Sequence, residues 1–317
     1  MHQNILITGI NGFVGSNLTA RLKQHHIIYG LDIVSPPKEG VLHTFGWNEL
    51  ESVPPIEIII HLAGKAHDTK NTSQSNEYFD INVGLTKTIF DHFLKSDATK
   101  FIYFSSVKAV ADTVINDTLT EDDIPNPRTP YGKSKLEAES FILSNTISKE
   151  KRVYILRPAM IHGPGNKGNL NLLYSIISKG YPYPLGLFNN QRSFTSIENL
   201  NFIIEKLIEK DIQSGIYQIA DSESISTNDL ITSMAKVLGK KPKIWNFPIR
   251  LIKVFARIGD LLALPINSER LKKLTENYVV SNKKITDTLE ISLPISAEQG
   301  LITTFASFQS NRTDNNS

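Results

Sequence analysis

The stretch from Asn4 to Gln24 constrains the fold more than any other part of this chain. Asn4-Ile-Leu-Ile-Thr8 reads as a short apolar strand, Gly9-Ile-Asn-Gly12-Phe13-Val14-Gly15 as a turn with glycine at every third position, and Ser16 to Gln24 as an amphipathic helix. Glycines allow the tight turn and let a pyrophosphate approach the backbone at the positive end of the helix. A second strand, His26 to Leu31, ends at Asp32, twenty residues beyond Gly12, where a carboxylate can accept the adenosine ribose hydroxyls of a dinucleotide. An acid at that place favours NAD over NADP.

Short apolar runs and helical stretches keep alternating after Asp32. Glu57 to His61, Phe101 to Ser106 and the run through Leu156-Arg157-Pro158 read as strands, and Phe79 to Leu94 and Tyr131 to Ile147 as helices. This alternation predicts an α/β fold, a doubly wound parallel sheet with helices on both faces, whose ligands bind beyond the carboxyl ends of the strands. Gly12, Asp32, Ala63, Ser106 and the loop after Arg157 all sit at such ends, so one crevice can hold them all. The 317 residues suffice for one large or two smaller domains, and a net charge of +2 is no footprint for nucleic acid. With no cysteine, disulfide and thiolate chemistry are excluded. No apolar run reaches transmembrane length and the first strand leaves no room for a signal peptide, so a cytoplasmic protein is expected. The histidines and acids show no metal-ligand spacing, and no metal is expected. His61 and His67 read as satisfied loop histidines.

The second informative stretch is Thr129-Pro130-Tyr131-Gly132-Lys133-Ser134-Lys135. After Pro130 the composition turns helical, so Tyr131 and Lys135 project side by side from one face. A free phenol titrates near pH ~10, and a neighbouring cation favours its ionised form. Tyr131 is therefore a candidate acid/base whose pKa Lys135 is expected to lower. The alternative is an ordinary exposed helix start.

Taken together, the Gly-x-x-Gly-x-x-Gly turn and the Tyr-x-x-x-Lys helix resemble the extended short-chain dehydrogenase/reductase family, in its branch of NAD-dependent nucleotide-sugar epimerases and dehydratases. The resemblance covers nearly the whole chain. It implies a Rossmann-type domain over 1–165, to which segments near 190–220 return, and a smaller interleaved α/β substrate-binding lobe mainly over 166–317. It implies Ser106, Tyr131 and Lys135 as the catalytic set, Ser106 hydrogen-bonding the reacting oxygen and Lys135 holding the nicotinamide ribose. Further implied cofactor contacts are Gly9, Gly12, Phe13, Val14, Gly15, Asp32, the loop Leu62-Ala63-Gly64, Asn82, Ser105 and Pro158. His162 stands where a tyrosine is more usual. In relatives acting on nucleotide sugars, an asparagine-leucine pair and an arginine hold the nucleotide diphosphate. Asn169-Leu170 and Arg192 resemble these, and Lys108 and Ser106 complete the implied substrate contacts. An arginine fork suits a diphosphate by shape and charge. A surface ion pair for Arg192 and a loop cap for Asn169 are the structural alternatives.

The resemblance also divides the chemistry. The 4,6-dehydratases of the family carry an acidic pair after the position of Ser106. Here the pair is Val107-Lys108, neither of them a carboxylic acid, which argues against a dehydratase. A UDP-sugar 4-epimerase and an NAD(P)H-dependent 4-reductase of a UDP-4-keto-6-deoxy sugar, serving surface polysaccharide synthesis, both stay open, with the epimerase ahead. Open too are a steroid-type dehydrogenase and a non-catalytic NAD sensor, although the sensor need not keep Ser106, Tyr131 and Lys135 together. The family implies a homodimer through the helices around Phe79 to Leu94 and Tyr131 to Ile147, where Phe90, Phe93, Leu136 and Phe141 exceed what one sheet face obviously needs; core packing is the alternative for any single one of them. Finally, residues 248–264 place Arg250, Lys253 and Arg257 on one helix face with apolar residues opposite. This reads either as a lid packed over the sugar site or as a helix resting on a membrane surface.

Overall fold

The computed structural model describes residues 2–66, 75–114, 116–166, 168–261 and 267–313, so His67, Leu262 to Leu264 and residues 314–317 lie outside it. Its strands are β1 (Asn4–Thr8), β2 (Ile27–Leu31), β3 (His43–Phe45), β4 (Ile58–His61), β5 (Lys100–Phe104), β6 (Arg152–Pro158), β7 (Met160–His162), β8 (Gln191–Arg192), β9 (Phe194–Ser196), β10 (Gly215–Ile219) and β11 (Ile225–Ser226). Its helices are α1 (Phe13–Leu22), α2 (Ser75–Lys95), α3 (Pro130–Ser144), α4 (Asn169–Ser178), α5 (Ile197–Glu209), α6 (Thr227–Val237), α7 (Ile249–Leu261), α8 (Ser268–Thr275), α9 (Lys283–Leu289) and α10 (Ala297–Thr313).

Seven strands pair in parallel in the order β3-β2-β1-β4-β5-β6-β10. The interiors of β1 and β4 are Ile-Leu-Ile and Ile-Ile-Ile, as strands covered on both faces require. Successive residues alternate between the faces. Ile5, Ile7, Ile58 and Ile60 pack against α1, α5 and α9, whereas Leu6, Ile59, Phe101 and Tyr103 pack against α2 and α3. Each fully buried aliphatic side chain contributes about 1.5–3 kcal/mol, and a one-residue slip would exchange the two faces, so the register is strongly specified. The strand order reverses between β1 and β4, which opens a crevice at their carboxyl ends.

A third apolar cluster, around Leu170, Tyr174, Phe194, Met234 and Phe305, joins α4, α6 and α10. Of the segments near 190–220 expected to return to the Rossmann-type domain, Arg192 to Ile197 does not run as one strand into its sheet. The Ser193 amide donates to the Tyr278 carbonyl (2.9 Å) and its hydroxyl accepts from the Val280 amide (2.9 Å), so the run changes partners at Ser193. On either side of it β8 pairs with β11 and β9 with β7, both outside the seven-stranded sheet. β10 does lie in that sheet, beside β6. α9 packs on one face of that sheet, its Ile285 and Leu289 covering it although they belong to the second half of the chain. Phe90 and Phe93, read as surplus and available to a dimer, are instead fully buried within one chain against Phe101, at ring separations of 5.0 and 5.2 Å. Among the described residues no helix is long and apolar enough to cross a membrane.

Candidate active site

The glycine turn is shaped by close approach. Gly9 has φ of +67°, and a Cβ there would stand 2.9 Å from the Ala63 backbone. At Gly15 a Cβ would stand 2.6 Å from the Gly9 carbonyl oxygen, so α1 starts directly against the turn. No side chain caps α1 at Gly12, which leaves its first amides and positive end to the crevice. Phe13 and Val14 pack on the core beneath this helix start. Asp32 accepts hydrogen bonds from the Asn11 amide (3.0 Å) and the Ile33 amide (2.7 Å), which fix its carboxylate at the tip of β2. The loop after β4 lies alongside, with Leu62 N donating to the Thr8 carbonyl (3.2 Å) and Ala63 N to the Thr8 hydroxyl (3.0 Å). Asn82 accepts from Lys65 N (2.7 Å) and donates to Ser134 Oγ (2.9 Å), tying the loop at Gly64 to both α2 and α3.

The start of α3 is equally determined. Pro130 takes the first helical position and the Thr129 hydroxyl accepts from Gly132 N (3.2 Å). Asp112 fastens the entry, accepting from the amides of Arg128 (2.6 Å) and Thr129 (3.2 Å). Gly132 sits so close to the turn after Ser106 that a Cβ would stand 2.3 Å from the Lys108 carbonyl oxygen. That contact brings Tyr131 beside Ser106, whose hydroxyl accepts from Lys108 N (3.2 Å) and interacts with the phenol. One turn on, the buried Lys135 donates to the Phe104 carbonyl (2.8 Å), with its ammonium 5.0 Å from the centre of the Tyr103 ring.

Burial moves these two titrating groups in opposite directions. It pushes the Tyr131 phenol above its ordinary value, with the hydrogen bond from Ser106 opposing. It pulls the Lys135 ammonium down to about 8, with the Glu139 charge opposing. The expectation that Lys135 lowers the Tyr131 pKa is therefore corrected: desolvation is the larger effect, and the ammonium is engaged by a backbone carbonyl. Close by, burial and the Lys135 charge hold the His61 pKa down to about 3. Both its ring nitrogens are satisfied, Nδ1 by Thr8 Oγ1 (2.7 Å) and Nε2 by Thr86 Oγ1 (3.0 Å). His61 is a strand-end core histidine.

Sequence reasoning missed the support behind Lys135. Glu139, one turn further along α3, is buried and takes two hydrogen bonds from Arg157, at 3.0 and 2.6 Å. The Ser105 hydroxyl also donates to Glu139, which commits its one proton to that pair. An arginine inside an apolar strand does signal a buried partner, without saying which acid supplies it. Lys38 was missed as well. It donates to the Ile10 carbonyl and to Ser16 Oγ (2.9 Å) on the glycine turn, and it lies in an irregular segment where no periodicity marks it.

Toward the substrate end, Arg192 is half-buried and its backbone bridges to Tyr278. Burial lowers its pKa, with the Glu276 charge opposing. Lys108 Nζ lies 4.1 Å from the centre of the Tyr278 ring and donates to the Asp112 carbonyl (3.0 Å), so Lys108 and Arg192 flank one tyrosine. Asn169 stands apart, exposed at the start of α4, and the Leu170 side chain is buried in the third apolar cluster, which leaves it to packing. Pro158 is buried at the end of β6. His162 is fully buried, with Nδ1 at 2.9 Å from Thr304 Oγ1 and Nε2 at 3.6 Å from Asp221, so it ties β7 to α10.

A family model described as the NAD dependent epimerase/dehydratase family matches residues 5–220, which span the whole arrangement from the glycine turn to Arg192. The chain belongs to this family. It is similar to a UDP-glucose 4-epimerase of Vibrio cholerae, 27% identical over 97% of this chain and 96% of the relative. It is also similar to the N-acetyl-alpha-D-glucosaminyl-diphospho-ditrans,octacis-undecaprenol 4-epimerase of Escherichia coli O157:H7, 26% identical over 95% and 94%. Among solved structures its fold resembles that of the Bordetella bronchiseptica enzyme WbmG in complex with NAD, with a TM-score of 0.77 at 17% identity, covering 98% of this chain and 95% of that one. Members of the family are NAD-dependent enzymes, and the Rossmann-type α/β sheet found here is the family's fold.

Proposed function

We propose that this chain is an NAD-dependent epimerase acting at C4 of a UDP-sugar by transient hydride transfer, with Tyr131 as the acid/base. The observation that carries the reading is the meeting of three groups at the carboxyl end of β5: Ser106, the Tyr131 phenol brought beside it by the close approach of Gly132 to Lys108, and the buried Lys135. The residues present fit NAD. The uncapped start of α1 suits the pyrophosphate, Asp32 suits the ribose hydroxyls, and Gly9 lies where no Cβ has room. When bound, the nicotinamide supplies the acceptor and donor of hydride at the sugar carbon. Ser106 holds the sugar oxygen and Tyr131 takes and returns its proton. Lys135 holds the ribose side of the site. Lys108 and Arg192, both adjoining Tyr278, receive the diphosphate, and Asn169, exposed at the start of α4, is the remaining nucleotide contact. The same reading places the enzyme in the cytoplasm, in surface polysaccharide synthesis. It also makes the enzyme a homodimer through α2 and α3, now carried by Leu136 and the exposed Leu143 rather than by Phe90 and Phe93. Light scattering of the purified protein checks the dimer.

A 4-reductase of a UDP-4-keto-6-deoxy sugar is the second reading. It is favoured by the raised Tyr131 pKa, which keeps the phenol in the form that donates to a ketone. Proton NMR of UDP-N-acetylglucosamine with the purified protein and a trace of NAD separates the two. Appearance of the galacto epimer, reduced about 10²-fold or more in Tyr131→Phe, supports the epimerase. No epimer, but oxidation of NADH by the 4-keto sugar, supports the reductase. Neither reaction would overturn both readings.

A further inference from the structure

Helix α7 shows three different faces. Ile252, Ala256 and Gly259 turn toward the protein, Ala256 and Gly259 fully so. At about 100° per residue, Leu251, Val254, Phe255, Ile258 and Leu261 share an arc of about 120° on another side. All five are exposed, Phe255 by 67% and Leu261 by 85%. Arg250, Lys253 and Arg257 occupy the adjoining arc, also exposed. The turn leading into the helix adds Trp245 and Phe247, exposed by 51% and 44%, whose rings touch at 5.8 Å.

Charge follows the apolar surface. Between 240 and 261 there are six basic side chains and one acid, a net of +5 in a chain whose total is +2, which leaves −3 for the rest. The one acid, Asp260, is engaged by the amide (2.8 Å) and hydroxyl (2.5 Å) of Ser268 at the start of α8. A continuous exposed strip of large apolar groups is unusual on a monomeric protein. Beside a basic strip it matches a helix that lies in a bilayer interface, with apolar groups entering the acyl boundary, aromatic rings at headgroup level and cations on anionic headgroups. A two-fold contact with a second copy that sets the α7 helices antiparallel would bring one basic strip beside another.

We propose that α7 and the Trp245–Phe247 turn dock this protein on an anionic lipid surface. The docked helix packs on α8, which runs into Glu276 and Tyr278 beside Arg192 and Lys108. The substrate end of the site therefore lies one element away from the membrane. The inference is independent of whether the site epimerises or reduces.

The test is co-sedimentation of the full chain with vesicles of phosphatidylglycerol and phosphatidylethanolamine, and with vesicles of phosphatidylcholine alone, at low and physiological salt. The wild type is expected to pellet with the anionic vesicles and much less with the neutral ones. The double variant L251E/F255E should lower pelleting about tenfold or more while keeping its melting temperature and its turnover of soluble substrate. The variant R250Q/K253Q/R257Q should lose the preference for anionic lipid, each removed cation costing about fivefold in partition. A wild type that stays in the supernatant with both vesicles would overturn the proposal, as would a double glutamate variant that pellets normally. So would a wild-type dimer that this variant splits while neither protein binds vesicles, because the face would then be a protein interface.

Discussion

Replacing Lys135 by methionine separates what this side chain does for stability from what it does for turnover. Burial takes its pKa from 10.5 to about 8, and at 1.36 kcal/mol per unit the folded state bears about 3 kcal/mol for keeping the ammonium charged. The sign follows from proton counts. Below pH 8 folded and unfolded chains both hold the proton, and the cost is present in full. Between pH 8 and 10.5 only the unfolded chain holds it, so the stability of the wild type rises with pH through this group. By pH 10 about 2–3 kcal/mol of this is recovered. The part-buried phenol Tyr131 and the buried Tyr154 and Tyr278 act the other way once the pH passes the ordinary phenol value, because their raised pKa values make the unfolded chain lose protons first. They are common to both proteins and cancel in the difference.

Urea unfolding of NAD-free wild type and Lys135→Met at pH 7 and pH 10 measures that difference. The variant should stand about 2–3 kcal/mol better, relative to wild type, at pH 7 than at pH 10. Its turnover should be lost at both. A stability gap that does not change with pH would mean that Lys135 titrates as a solvated amine, and the account of the buried pair would be wrong.

Glu139→Gln strips the carboxylate from the buried Arg157 and should cost about 3–5 kcal/mol in denaturant unfolding; a loss below about 1 kcal/mol would show that water reaches the guanidinium. Gly132→Ala forces a methyl toward the Lys108 carbonyl and pushes the start of α3 away from Ser106. Its kcat should fall tenfold or more, whereas unchanged kcat would show that the helix can back away without separating Ser106 from Tyr131. Asp32→Ser removes the carboxylate at the tip of β2 and should raise kcat/KM with NADP relative to NAD by about tenfold or more; a constant ratio would remove Asp32 from cofactor choice.

Most of the sheet was legible because β1, β4, β5 and β6 are short and apolar on both faces, with α1, α2 and α3 between strands; the three-residue edge strand β3, which no α-helix separates from β2, was not. Glycine spacing placed the turn, and proline followed by helix formers placed α3 to within a residue of its observed start. Two-residue strands such as β8 and β11 carry no periodicity, and only the tertiary partners of Ser193 decide where the chain changes sheets. Local sequence likewise put Tyr131 and Lys135 on one face, yet the direction of the Tyr131 shift depends on how deeply α3 is covered, which no spacing encodes. The aromatic residues of α2 mislead for a similar reason. Phe90 and Phe93 look like more apolar surface than one sheet needs until Phe101 on β5 is seen to take up both. Glu139 and Arg157 are eighteen residues apart and meet only once β6 lies beneath α3.

The ordering of the two pKa values bears on which reaction the site performs. Because the Tyr131 phenol lies above its ordinary value and Lys135 near 8, the chain's own groups at neutral pH settle as a neutral phenol beside an ammonium. An epimerase must begin by drawing a proton from the C4 hydroxyl, so its turnover depends on the scarce ionised phenol and should rise steadily from pH 6 toward pH 8. A 4-reductase begins by donating a proton, and the protonated phenol is plentiful throughout. Its turnover should stay level through neutral pH and fall above about 8, where Lys135 gives up its charge. Measuring kcat between pH 6 and 9.5 with whichever substrate reacts tests this ordering. Epimerisation that is flat from pH 6 to 8 would remove Tyr131 as the base, and reduction that climbs over the same range would remove it as the acid.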